Sequence, residues 1–272
     1  MFENVIVPID GSELADAALA PAADLARRMD AALVLLQAVH PDDVDLARTD
    51  LSERLEALGA PRGEIVLDPL NGPVGALRDA VSARAGAVVC MTTHGRGGIG
   101  RALFGSVAEE ALREVGGPFV LVGPSSAPDA TVPGPVLVPL DGSHRSESIL
   151  PLAASWATAL GVGMWIVTVG DPSDAAKVRD AGGDMVEEAY VERIAGAMPR
   201  EVPSVDWEVL HGSDPAAEIV RFAAQRGCST IALATHGRTG LARVVAGSVA
   251  SEVVHDHPGL VLVTRTADVG DD

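Results

Sequence analysis

The chain repeats itself. Val5-Ile6-Val7-Pro8-Ile9-Asp10-Gly11-Ser12 returns 131 residues later as Val136-Leu137-Val138-Pro139-Leu140-Asp141-Gly142-Ser143. Thr93-His94-Gly95-Arg96 returns 142 residues later as Thr235-His236-Gly237-Arg238, and Gly105-Ser106-Val107-Ala108 returns at the same spacing as Gly247-Ser248-Val249-Ala250. In a chain of 272 residues, a repeat of that length implies two copies of one domain in tandem. The 11 residues gained between the pairs Pro41/Pro172 and Pro73/Pro215 fall in the charged, Met-bearing stretch 171–201. Between the copies, residues 124–134 are rich in Pro, Ser and Gly and cannot continue a helix or a central strand. The expected organisation is a first domain at 1–125, a linker at 126–134, a second domain at 135–266 and a frayed tail at 267–272.

Within each copy, apolar runs of strand length alternate with stretches of helical periodicity. Residues 4–9, 32–39, 64–67, 87–91 and 119–122 read as strands. Their continuous apolar character marks strands buried on both faces of a parallel sheet. Helices are expected at 13–28, 46–58, 74–85 and 107–115, and the second copy repeats the strands at 136–140, 163–169, 206–210, 230–234 and 260–263. With right-handed crossovers this order gives α/β domains, each a doubly wound, five-stranded parallel sheet of Rossmann-like type. Ligands of such sheets bind beyond the carboxyl ends of the strands, at the switch point.

The formal net charge is −18, and residues 1–130 and 131–272 each hold 19 acids and 10 bases. Such acidity repels nucleic acid and anionic membranes. Two cysteines, Cys90 and Cys228, make no disulfide framework, and there is no basic leader or long apolar run, so a cytoplasmic location is expected. Cys90, inside an apolar strand, reads as a small hydrophobe.

The loop after the fourth strand of each copy carries the chemistry. It contributes Gly95, Gly97, Gly98 and Gly100, then Gly105-Ser106 at the mouth of a helix; Arg96 and Arg101 recur as Arg238 and Arg243. Glycines let backbone N–H groups approach an anion, and a helix N-terminus adds unpaired donors and a favourable dipole. Ser106 and Glu109 also fit a capping box, but Ser248 lacks the Glu three residues on. Asp10 and Asp141 end their first strands, where a carboxylate accepts from an adenine amino group or ribose hydroxyls, or alternatively caps the next helix. Val39 and Val169 end the second strands, as pocket lining or as core.

No P-loop, nucleophile elbow or H-E-x-x-H site is present. His94 and His236 have no carboxylate placed beside them by sequence and read as structural. His255-Asp256-His257 has no counterpart in the first copy and reads as an exposed helix end.

The Pro-x-Asp-Gly-Ser strand end and the Thr-His-Gly-Arg loop leading to Gly-Ser-Val-Ala resemble the universal stress proteins, as a tandem two-domain member. Its ATP-binding members carry G-x2-G-x9-G-(S/T); here Gly95 and Gly105-Ser106, and Gly237 and Gly247-Ser248, match, while Thr92 and Ala234 stand at the first glycine. The resemblance implies an ATP-binding protein, with or without Mg, acting in stress adaptation, with no catalytic residue and at most slow hydrolysis. The implied site of the first domain comprises Pro8, Asp10, Val39, Thr92, Gly95, Arg96, Gly98, Gly105, Ser106 and Val107. That of the second comprises Pro139, Asp141, Val169, Ala234, Gly237, Arg238, Gly240, Gly247, Ser248 and Val249. It also implies pairing through the last strands, as a homodimer or as a pseudo-dimer within the chain. A non-nucleotide-binding interaction module of the same fold is the alternative, and an adenylyl-transferring enzyme, lacking a recognisable base, is the weaker third.

Overall fold

The computed structural model describes residues 2–93, 104–127, 134–170, 183–235 and 247–265, with side chains of 183–185 excepted. The first half runs β1 (Asn4–Pro8), α1 (Glu13–Asp16), α2 (Leu19–Met29), β2 (Ala32–Ala38), α3 (Val44–Leu58), β3 (Gly63–Asp68), α4 (Gly72–Ser82), β4 (Ala87–Thr92), α5 (Ser106–Glu114) and β5 (Phe119–Val122). The second runs β6 (Val136–Pro139), α6 (His144–Glu147), α7 (Leu150–Leu160), β7 (Met164–Gly170), α8 (Gly183–Gly196), β8 (Val205–His211), α9 (Pro215–Arg226), β9 (Thr230–Thr235), α10 (Ser248–Asp256) and β10 (Leu260–Arg265).

All ten strands join one sheet in the order β3-β2-β1-β4-β5-β10-β9-β6-β7-β8. Within each half the pairs are parallel; only β5 and β10 meet antiparallel, from Phe119 opposite Val263 to Val122 opposite Leu260. The last strands therefore pair within the chain. Each has a neighbour on both edges, so neither offers a free edge for a homodimer through the same strands.

Side chains alternate across the sheet, and each face carries one apolar cluster running through both halves. Val5, Val7, Leu33 and Leu35 pack with α2, with Leu51 of α3, with Trp156 of α7 and with Val191 and Ile194 of α8. Ile6, Val34 and Leu36 face the other way, toward α4, α5, α9 and α10. Phe2 stacks edge-on against Trp156, centroids 5.1 Å apart, which locks the first half to the second. At the junction Gly123 lies so near α10 that a Cβ there would sit 1.9 Å from the Val254 carbonyl oxygen. From the other side, Arg265 donates to the Arg113 carbonyl near the end of α5. The pre-junction segment is held by Ser126 Oγ donating to Gly259 O at 3.0 Å and Ala127 N donating to Pro258 O at 2.9 Å.

Two expectations change. The helix over 13–28 is broken at Ala17 and Ala18, because Pro21, in the first turn of α2, cannot donate and its ring crowds the carbonyl four residues back. Pro151 has the same effect between α6 and α7. His257 is buried, at 2% exposure, while His255 and Asp256 are exposed as expected. The added residues of the second half lie on both sides of α8, most of them in 171–182, outside the described residues.

Candidate functional site

The sheet changes direction between β1 and β4, and between β6 and β9. There the ladder stops early. β1 and β4 pair only from Asn4–Ala87 to Ile6–Val89, whereas β1 follows β2 as far as Pro8–Leu36 and β4 follows β5 as far as Thr92–Val122. In the second half β6 and β9 pair only at Val136–Thr230 and Leu137–Ile231.

The cause is legible in the strand-end motif. Ile9 N donates to Leu36 O at 2.7 Å, so odd-numbered residues of β1 bond toward β2 and even-numbered ones toward β4. The next donor due toward β4 would come from residue 8, and Pro8 has none. Leu140 N donates to Val167 O at 2.8 Å, which puts Pro139 in the same position facing β9. Each proline thus ends the ladder at the switch point and leaves a crevice between two carboxyl strand ends.

The residues after the prolines are shaped by a tight turn. Gly11 and Gly142 adopt φ of 75° and 81°, a conformation that favours glycine. Asp10 Oδ1 accepts from Ser12 N at 2.9 Å and from the Ser12 hydroxyl; Asp141 Oδ1 accepts from Ser143 N at 3.0 Å and Ser143 Oγ at 2.6 Å. The serines, not the aspartates, are the N-caps of α1 and α6, accepting from Ala15 N at 3.2 Å and Ser146 N at 3.1 Å. The capping alternative for the aspartates is therefore overturned: each braces its serine, and both lie on exposed residues at the crevice mouth. Partial burial pushes the Asp141 carboxyl up, but hydrogen bonds from Ser143 and Ser146 outweigh it and hold the group below its ordinary value.

On the β4 side, Thr92 is half-buried at the strand end. Thr93 N donates to Val122 O at 3.2 Å, and Thr93 O accepts from Gly105 N at 2.7 Å, so the chain leaves and re-enters the sheet edge at one point. Phe104 packs on the apolar cluster beneath, anchoring the return. Gly95, Arg96 and Gly98 lie in residues 94–103 and Gly237, Arg238 and Gly240 in 236–246, outside the described residues, as do His94 and His236.

The capping box at Ser106 is not formed. Gly105 is the N-cap of α5, extended at φ −70° and ψ 157°, and has no side chain with which to cap the helix; Ser106 is already its first residue. Glu109 N donates to Gly105 O at 2.9 Å, the first helical bond, so the N–H groups of Ser106, Val107 and Ala108 precede it and point out of the helix end. Gly247 and Ser248 repeat this at α10, with Ser251 N donating to Gly247 O at 2.9 Å. Val107 is 39% exposed, so its side chain is not packed into the core.

Val39 and Val169 do not hold equivalent places. Pro8 pairs with Leu36 and Pro139 with Val167, so the counterpart of Val39 is Gly170 and that of Val169 is Ala38. A one-residue slip reverses the face. Val169 and Ala38 both pack on the α4/α9 side, while Gly170 closes β7 where Val39 follows β2.

Over that end of the second half lies a cluster that sequence reading missed. Glu187 of α8 stands against Gly170, where a Cβ would be 2.8 Å from Glu187 Oε2. Tyr190 Oη donates to Glu147 Oε1 at 3.1 Å, and the Arg193 guanidinium lies 5.5 Å from the Tyr190 ring centroid and 3.8 Å from Glu147. Burial first, then the hydrogen bond to Glu147 and the charges of Glu147 and Asp141, push the Tyr190 hydroxyl up to about 12. Two signals existed: the sole tyrosine stands in the stretch with added residues, and a glycine ends a strand where the other copy has valine. In the first half α3 is tied to α1 by Arg54, which donates to Asp16 and, at 2.8 Å, to Asp50.

No helix among the described residues is long and apolar enough to cross a membrane, and no group of three metal-ligating side chains occurs among them.

Residues 1–68 and 134–265 match the universal stress protein family. A universal stress protein of Mycobacterium tuberculosis is 32% identical over 222 residues, covering 77% of this chain and 72% of the relative. One from Mycolicibacterium smegmatis is 26% identical over 289 residues, covering 96% of this chain and 97% of the relative. Among solved structures, a universal stress protein of Archaeoglobus fulgidus superposes with a TM-score of 0.68 at 17% identity, covering 97% of this chain and 98% of its own. Ladder, crevices and strand order thus accompany a match in both halves, and the chain belongs to the universal stress protein family.

Proposed function

We propose that the protein is an adenine-nucleotide-binding regulator of stress adaptation in the cytoplasm, built from domains 1–125 and 135–266 joined by 126–134. ATP is the ligand, with Mg as its counter-ion, and hydrolysis is at most slow. The observation that carries this reading is the early end of the β1–β4 ladder at Pro8, with α5 starting from Gly105, whose N–H bonds to Thr93 O just past the end of β4. A triphosphate needs N–H donors unhindered by a Cβ, and the Gly105-Ser106 turn presents them beside a helix N-terminus. Arg96, in the loop between Thr93 and Gly105, adds positive charge in an otherwise acidic chain. Asp10, braced by Ser12, is an acceptor suited to ribose hydroxyls or an exocyclic amine. When bound, ATP would supply the charge that these donors neutralise; the chain's own residues orient it and shield it.

Titration calorimetry of the full chain with ATP and Mg, together with acid extraction of the purified protein, tests the reading. Heat of binding or co-purified adenine nucleotide is expected. Neither heat nor nucleotide overturns it and leaves the interaction module as the function of this fold.

A further inference from the structure

We infer that the two crevices are unequal: the first takes the nucleotide and the second is closed to it by the chain's own helix α8. The inference rests on the nucleotide reading above and specifies which half performs it. Its ground is a difference at one register position. In the first half the residue after β2 is Val39, half-buried, whose N–H bonds to Asp68 O at 2.9 Å. In the second half that position is Gly170, buried, with the Glu187 carboxylate lying where a side chain at 170 would go.

The source of the carboxylate is the helix that covers the strand end. Leu51 in α3 and Val191 in α8 are both fully buried in the same apolar cluster. One turn before Leu51 stands Ala47, small and uncharged; one turn before Val191 stands Glu187. At that turn of the helix the first half carries a methyl group in place of a carboxylate. A carboxylate fills that volume in the second half and brings a negative charge where an anionic ligand would enter.

The surroundings strengthen the exclusion. Glu147 anchors Tyr190 and Arg193, and Tyr190 also feels the Asp141 charge, so α8 is fastened beside the mouth of the crevice rather than merely lying near it. Arg193 is engaged with Glu147 and the Tyr190 ring. Asp141 and Glu147 have acidic counterparts in Asp10 and Asp16 of the first half, so Glu187 is the added like charge that an incoming polyphosphate would meet in the second.

Calorimetric stoichiometry with ATP and Mg distinguishes the outcomes. One nucleotide per chain is expected, with all binding lost in Gly105→Val. Glu187→Ala is expected to add a second event, and the double variant Gly105→Val/Glu187→Ala to bind one nucleotide. Thermal melting of each variant shows that the fold persists, and the wild-type stoichiometry stands without any variant. Two nucleotides per wild-type chain, or residual binding in Gly105→Val, would overturn the inequality while leaving the nucleotide reading intact. A single event unchanged by Glu187→Ala would overturn the role of Glu187. No binding at all overturns the nucleotide reading, and this inference with it.

Discussion

His257 makes the stability of the junction depend on pH in a way that can be calculated before it is measured. The residue ends α10, its N–H donating to Val253 O at 2.9 Å, and its ring is 2% exposed. Neither ring nitrogen has a well-formed hydrogen-bond partner. Burial pushes the imidazole down from its ordinary 6.5 to about 4, with a backbone contact at Ser229 offsetting only part of it. The native state therefore prefers the neutral ring, and the unfolded chain binds the extra proton first as pH falls. Stability is unaffected above the unfolded value, declines between about 6.5 and about 4, and carries the full cost below that.

The interval is about two and a half pH units, worth about 3.5 kcal/mol at ~1.4 kcal/mol per unit. Roughly 2 kcal/mol of it falls between about pH 7 and pH 4.5, a window in which most carboxylates remain ionised. Urea unfolding of wild type and His257→Leu at both pH values isolates this contribution. Wild type is expected to lose about 2 kcal/mol more than the variant over that window. Equal losses would refute the assignment, because no other change separates the two proteins.

Ser143→Ala removes the cap of α6 and the bracing of Asp141 together. About 1 kcal/mol of stability is expected to go, and the Asp141 carboxyl to move up toward its ordinary value in an NMR titration. Because that carboxyl is held low, the stability it confers is present above its unfolded value and lost as pH falls through its folded one; the variant loses this dependence. Gly123→Ala forces a Cβ to within 1.9 Å of the Val254 carbonyl oxygen, so the halves must separate or the backbone shift. A loss of roughly 2 kcal/mol or more is expected by thermal unfolding, and an unchanged melting temperature would contradict the close approach. Cys90 and Cys228, both pushed to about 12 by burial, are expected to ignore a thiol reagent in the native protein and to react on unfolding.

Strands and their order were readable because a parallel sheet covered on both faces demands unbroken apolar runs such as Val5-Ile6-Val7 and Val136-Leu137-Val138. What escaped depended on single residues or on distant contacts. Pro21 and Pro151 break helices whose apolar periodicity continues through them, because periodicity registers side chains and the break arises from a missing donor. Ser106 fits a capping box by spacing, yet the helix takes it as a first residue and leaves the cap to Gly105. His257 looks like an exposed end until the 126–127 segment and Ser229 are folded against it. Val39 and Val169 are one residue out of step: the 131-residue spacing of the repeat already takes Val39 to Gly170, and the ladder agrees. Whether the last strands met within or between chains had no local signature at all.

The antiparallel junction decides how the two crevices relate. All strands of one half point one way and all strands of the other point back, so the carboxyl strand ends of the halves lie at opposite ends of the sheet. No ligand in one crevice can touch the other. Each of α5 and α10 nonetheless begins at its own crevice and finishes at the junction: the Arg113 carbonyl of α5 accepts from Arg265, and the Val254 carbonyl of α10 lies against Gly123. These elements are alike in the two halves because the shared ladder constrains both ends of them. Helix α8 is under no such constraint. It touches β7 and β8 at the far edge of the sheet, away from the junction, and can carry Glu187 in place of a small residue without disturbing either the ladder or the pairing of the halves. The outer helix is therefore where the two halves are free to differ, and Ala47 in α3 against Glu187 in α8 is such a difference.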